Sequence, residues 1–120
     1  MTVTRVTEFG QGETERMIRE TARELAAEYD DDYWRAVTGP EKREPTEFWG
    51  DCADLGFLGV TVPEEYGGEG LGVSELTAIV EELTSNGCFG AEMLFVVNVV
   101  FGTVTLSRHG TEEQRERFLE

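Results

Sequence analysis

The chain has 120 residues, enough for one domain whose core takes roughly two-thirds of the unfolded surface out of water. Asp and Glu number 25 against 10 Lys and Arg, a formal charge of −15. That excess disfavours nucleic acid and anionic membrane surfaces as partners, because both are held by Lys and Arg neutralising phosphates.

Residues 1–12 are polar and read as a flexible N-terminus. From Glu13 to Tyr29 the positions Ile18, Ala22, Leu25, Ala26 and Tyr29 recur at helical spacing. The run Asp30-Asp31-Asp32 suits a helix C-terminus badly, because the dipole there favours cations, so the spacing predicts a stop. TGPEKREP at 38–45 is a loop punctuated by Pro40 and Pro45. Thr46 can cap a short helix with Phe48, Cys52 and Leu55 on one face and Gly56 ending it in the left-handed conformation. LGVTV at 58–62 has the β-branched character of a brief strand or extended stretch, and Pro63 argues against a central strand.

Ser74 can cap the next helix, whose stripe is Leu76, Ile79, Val80 and Leu83, with Ser85-Asn86-Gly87 as its stop. A second helix is predicted from about Gly90 to His109, apolar on nearly every face and therefore buried on most sides. Gly110 stops it, and Thr111-Glu112-Glu113-Gln114 matches a capping box. The helix that opens there reaches apolar positions only at Phe118 and Leu119, so the chain is expected to be a fragment or a truncated form with an incomplete last helix. The fold class expected is all-α, an up-and-down or orthogonal bundle of about five to six helices over 13–120.

Six glycines lie in LGFLGVTVPEEYGGEGLG at 55–72. A dinucleotide fingerprint starting at Gly68 needs a glycine where Val73 stands, and a phosphate loop starting at Gly67 needs a lysine at that same position. Glu64, Glu65, Glu69 and Glu75 would repel a phosphate, so the stretch reads as a turn-forming connector. His109 is the lone histidine and suits a helix C-terminus. The pairs Glu64-Glu65 and Glu81-Glu82 read as solvated faces rather than acid–base dyads. By composition Met93, Phe95 and Phe101 read as core more than as ligand contacts. Cys52 and Cys88 form no CxxC pattern and read as free thiols of a reducing cytoplasm. The N-terminus lacks the apolar core of a signal peptide, and the most apolar run, 93–106, is interrupted by Asn98 and Gly102, so no membrane span is expected. Dense carboxylates that need screening suggest a halophilic source. No residue set for catalysis, cofactor binding or metal binding stands out.

Phe48-Trp49 followed by LGFLGVTVPEEYGGEGLG, a helix ending in Glu81-Glu82-Leu83, an apolar helix, and GTEEQRERFL at 110–119 occur in this order. The succession resembles the N-terminal helical domain of the acyl-CoA dehydrogenases from about residue 13 onward. The resemblance implies an FAD enzyme, commonly a homotetramer, that dehydrogenates acyl-CoA thioesters at the α,β position and passes electrons to an electron-transferring flavoprotein. It also implies that FAD, the catalytic carboxylate and most CoA contacts belong to middle and C-terminal domains, the middle one carrying a TEP…GSD-like stretch that this chain lacks. The part left to this chain is a wall of the fatty-acyl cavity, with Met93, Val97, Asn98 and Phe101 near the matching positions, and no competence alone. Two alternatives share the architecture: a stand-alone helical interaction module, and the N-terminal domain of an acyl-CoA oxidase or flavin monooxygenase.

Overall fold

The computed structural model describes residues 12–119 and contains six helices: α1 Glu13–Ala27, α2 Asp31–Thr38, α3 Thr46–Asp54, α4 Val73–Ser85, α5 Ala91–His109 and α6 Glu112–Phe118. A 3-10 turn, Glu64–Tyr66, sits in the loop between α3 and α4. Among the described residues there is no strand, and LGVTV is a series of turns instead of the extended stretch its β-branched residues suggest. The N-terminal segment expected to be flexible lies outside the described residues except for Gly12, the N-cap of α1.

α1 stops at Ala27, before the acidic run, as the dipole argument requires. The same run then opens α2, which sequence periodicity does not reveal. Asp30 accepts from the Tyr33 N–H at 2.9 Å, and Asp31 and Asp32 occupy the first turn, where carboxylates are favoured. Two expected caps fall differently. Pro45 and Gly72 are the N-cap residues of α3 and α4, so Thr46 and Ser74 lie inside the first turns with their hydroxyls unused for capping. Glu75 accepts from the Gly72 N–H at 2.7 Å, which satisfies the entry of α4 without a serine. At the entry of α6 the capping box is present: Thr111 accepts from Gln114 N–H at 3.2 Å, and Gln114 accepts from Thr111 N–H at 3.0 Å.

α3 and α4 end in the same way. Gly56 (φ 81°) and Gly87 (φ 98°) take the left-handed conformation. The next N–H turns back onto the helix, Phe57 to Cys52 at 2.9 Å and Cys88 to Leu83 at 3.0 Å. Cys52 on the inner face of α3 and Cys88 just past the second turn share one core, 0% exposed, with Trp34, Phe48, Ile79, Leu83 and Phe95. Trp34 meets Phe48 edge to face with centroids 4.8 Å apart, and Tyr33 lies 5.2 Å away on another side. Trp49 stacks edge-on to Phe95 at 5.6 Å, which fastens α3 to α5.

Burial pushes the Cys52 thiol up to about 12 and the Cys88 thiol up to about 11, from an ordinary value of 9.0. Both thiols should therefore resist iodoacetamide at pH 8 in the native chain and react fully in urea, as counted by mass spectrometry. Linkage gives the matching pH effect. Unfolded thiols ionise near pH 9 and folded ones do not, so stability is whole below that pH and is lost as pH rises towards 11–12. An unfolding midpoint in urea that stayed flat from pH 8 to 11 would contradict this.

The helix α5 departs from expectation. Of its side chains Ala91, Phe95 and Val99 are buried, while Met93, Val97 and Phe101 stand 62%, 49% and 66% exposed. The reason is the shape of the domain, 47 × 39 × 20 Å. A thickness of 20 Å holds about two helix layers at about 10 Å each, so each helix keeps an outer side whatever its composition. Phe95 fulfils the core reading; Met93 and Phe101 do not.

Candidate functional site

The glycine-rich stretch uses its backbone on itself. Gly68 N–H donates to Pro63 at 3.2 Å, Glu69 to Gly59 at 2.9 Å, Gly70 to Val62 at 2.8 Å and Leu71 to Val60 at 2.9 Å. A Cβ on Gly68 would stand 2.1 Å from the Val62 carbonyl oxygen, so glycine is needed there for the chain to double back. Phe57, Val60, Val62 and Tyr66 seal the inside of this loop. A phosphate cradle presents free N–H groups; here consecutive ones are already spent. The Tyr66 hydroxyl donates to Glu112 at 2.7 Å, so the loop also anchors the start of α6.

Four sides of α5 can be told apart. Its middle, Phe95–Val104, is a π-helix, in which Thr103 donates its hydroxyl to the Asn98 carbonyl at 3.2 Å. Residues two apart lie roughly half a turn apart in either helix type. The buried stripe Ala91–Phe95–Val99 is thus opposite the exposed stripe Met93–Val97–Phe101. One flank, Val96 and Val100, faces Val73, Leu76 and Val80 of α4 across a groove of about 740 Å³ rimmed by Glu81 and Glu92. The other flank carries Leu94 and Asn98 beside Pro45, Thr46 and Trp49 in a groove of about 610 Å³.

The four residues singled out from the sequence therefore divide. Met93, Val97 and Phe101 share one open apolar stripe. Asn98 lies on the neighbouring flank, with its amide committed to the Leu94 carbonyl at 3.0 Å. The groove on the far flank was not singled out. Its signal, the four-residue step from Val96 to Val100, is hidden in a helix apolar on every side.

Glu82 is not the solvated carboxylate that its sequence suggests, whereas Glu81 stands 59% exposed. Arg19 bridges Glu15 at 3.1 Å, Glu81 at 2.9 Å and Glu82 at 3.9 Å, and Arg23 reaches Glu82 at 3.3 Å. The Glu82 side chain is only 15% exposed. The Glu81 hydrogen bond raises the Arg19 guanidinium above its usual range, so Arg19 clamps α1 to α4 as a cation. His109 closes α5 at its C-terminus, where a cation is favoured. Among the described residues no group of three or more His, Cys, Asp or Glu side chains could hold a metal ion.

By length and composition the 19 residues of α5 could cross a membrane, and 17% of its apolar window is buried. Ala91, Phe95 and Val99 nevertheless seat it in the core of the domain.

Comparison with known proteins agrees with this arrangement. The family model described as "Acyl-CoA dehydrogenase, N-terminal domain" matches residues 12–120. Acyl-CoA dehydrogenase FadE12 of Mycobacterium tuberculosis (strain ATCC 25618 / H37Rv) is 35% identical over 114 residues, 94% of this chain and 28% of that protein. Mitochondrial isovaleryl-CoA dehydrogenase of Pongo abelii is 31% identical over 112 residues, 92% of this chain and 26% of that protein. Mitochondrial isobutyryl-CoA dehydrogenase of Dictyostelium discoideum is 34% identical over 79 residues, 66% of this chain and 18% of that protein. The chain thus spans about a quarter of the length of the first two. No solved structure matches it. A family match over 12–120, on six helices in the expected order, means that the chain belongs to the acyl-CoA dehydrogenase family and carries its N-terminal helical domain.

Proposed function

We propose that this chain serves α,β-dehydrogenation of acyl-CoA thioesters by an FAD enzyme, as the part that forms one wall of the acyl cavity, and that it is not competent by itself. The observation that carries the reading is the stripe Met93–Val97–Phe101, three large apolar side chains in water on a helix whose opposite side is core. The wall of an acyl cavity needs apolar side chains with few polar groups among them, and the stripe supplies three. The described residues do not fit a flavin: the glycine loop spends its N–H groups internally, and carboxylates crowd it. We therefore place FAD and the proton-abstracting carboxylate in parts of a longer assembly. Electron-transferring flavoprotein as oxidant, a homo-oligomeric state, a cytoplasmic setting and a salt-rich source belong to the same proposal.

The three methionines include one inside the stripe, Met93, and one outside it, Met17, which gives the test an internal control. A dilute, low-salt sample labelled at methionine methyls should show the Met93 signal move on adding palmitoyl-CoA and stay still on adding CoA alone, with Met17 unmoved. In a parallel titration FAD should keep its free absorption spectrum. An acyl-dependent shift at Met17 alone, or stoichiometric FAD binding, would remove this assignment.

A further inference from the structure

We propose that segment 1–11 of this chain docks back along α1 and seats Phe9 and Val6 in the groove between α1 and the glycine-rich loop. The groove, about 370 Å³, is walled on one side by Thr14, Met17, Ile18 and Thr21 of α1 and on the other by Leu55 and Leu71. The four α1 residues stand at i, i+3, i+4 and i+7, one face of the helix. Met17 is 62% and Leu55 43% exposed, so this face is apolar without being core. It shares no residue with the open stripe of α5 or with the two grooves beside that helix. Its volume is at the small end of the roughly 300–1,000 Å³ of ligand sites, which suits a few side chains and not a whole helix or a cofactor.

Position, reach and charge select this occupant. Segment 1–11 joins the domain at Gly12, the N-cap of α1, one turn below the groove. Val3, Val6 and Phe9 place an apolar residue at every third position, and Gly10 with Gly12 brackets the point where the chain has to reverse. Phe9 is three residues from Gly12, a reach of up to about 10 Å. Met17 is five residues along the helix from Gly12, about 7–8 Å. The ring therefore reaches the thioether, and such sulfur–aromatic contacts are favourable. Val6, up to about 10 Å further back, spans the roughly 10 Å from Thr14 to Thr21. Glu69 is the one charged residue lining the groove, and among the described residues no cation pairs with it. Arg5 is the one basic residue of 1–11. The tether at Gly12 keeps the segment at an effective concentration in the millimolar range, so a contact of a few side chains suffices. Docked in this way, segment 1–11 is a strap that ties the start of α1 to the loop that anchors α6 through Tyr66.

The test uses the full 120-residue chain at low concentration. Oxidation by hydrogen peroxide, followed at each methionine by mass spectrometry, reads the cover over Met17, with Met93 as internal reference. Val6→Ser combined with Phe9→Ser should speed oxidation of Met17 at least about twofold, the factor for a groove covered half of the time or more. Met93 should keep its rate. Arg5→Glu should act in the same direction by less, since a single exposed ion pair contributes little. In the unaltered chain the Phe9 ring should give a nuclear Overhauser effect to the Met17 methyl that keeps its relative strength on about tenfold dilution, as a tethered contact does. An equal Met17 rate in the unaltered and doubly substituted chains would overturn the proposal. So would equal acceleration of Met17 and Met93, which reports general loosening, or a contact that fades on dilution, which places a second copy's segment in the groove. The proposal is independent of the acyl-wall reading, whose signal is Met93.

Discussion

Replacing Trp34 with alanine should lower the unfolding free energy by about 3–5 kcal/mol, while Phe101→Ala should change it by no more than about 0.5 kcal/mol. Trp34 is 0% exposed and is the one buried residue of α2. Its ring meets Phe48, Tyr33 and Tyr29 at centroid distances of 4.8, 5.2 and 6.5 Å. Truncating it removes the buried anchor of α2, leaving Tyr33 and Val37 as its remaining core contacts, and opens a cavity among the rings. Against a typical total of about 5–15 kcal/mol, this loss is at least about a fifth of the whole and shows as a clearly lower urea midpoint. Phe101 is as apolar but 66% exposed, so its removal deprives the fold of little. The pair separates side chains that build the domain from side chains that stand exposed on it. Equal costs for the two would mean that the outer side of α5 is packed, and the stripe would lose its functional reading.

Raising NaCl from about 10 mM to 1 M should stabilise the chain by a few kcal/mol, seen as a melting temperature higher by roughly 10 °C or more. The chain carries a formal charge of −15, nearly all of it on residues 12–119, a body with a radius of gyration of 15.3 Å. At 10 mM salt the screening length, about 30 Å, exceeds that radius, and every carboxylate feels the others; at 1 M it is about 3 Å, and only contacts count. The unfolded chain spreads the same charge over a larger volume, so the folded state gains more from screening. Salt also weakens the Arg19 clamp, yet its pairs at about 3 Å are contact pairs and partly shielded from solvent. A melting temperature that stayed level or fell with salt would remove the halophilic reading.

Much of this fold is legible locally. Caps, periodicity and left-handed glycines act over a few residues, so the ends of α1, the turn at Gly56, the stop at Gly87 and the capping box at Thr111 follow from sequence. The misses are local competitions with close outcomes. Glu75 could serve α4 from the N3 position, which moved the cap from Ser74 to Gly72. Three aspartates that end α1 also begin α2, and only Asp30 bonded to Tyr33 shows it. Glu81 and Glu82 read as solvated because nothing near them in sequence is basic; Arg19, brought across from α1, pairs with both and covers Glu82, while Glu81 stays exposed.

The candidate site was legible in residue type and not in placement. Sequence determined that α5 would be a long apolar helix, that the glycine stretch could hold no phosphate, and that the order of motifs is that of an acyl-CoA dehydrogenase N-terminal domain. Only the tertiary structure decided which side of α5 is core and which is open. Composition is nearly the same on all sides of that helix, so it carries no information about direction. Direction came from Trp49, α4 and a body only 20 Å thick, which cover one side of α5 and leave Met93, Val97 and Phe101 about half exposed or more.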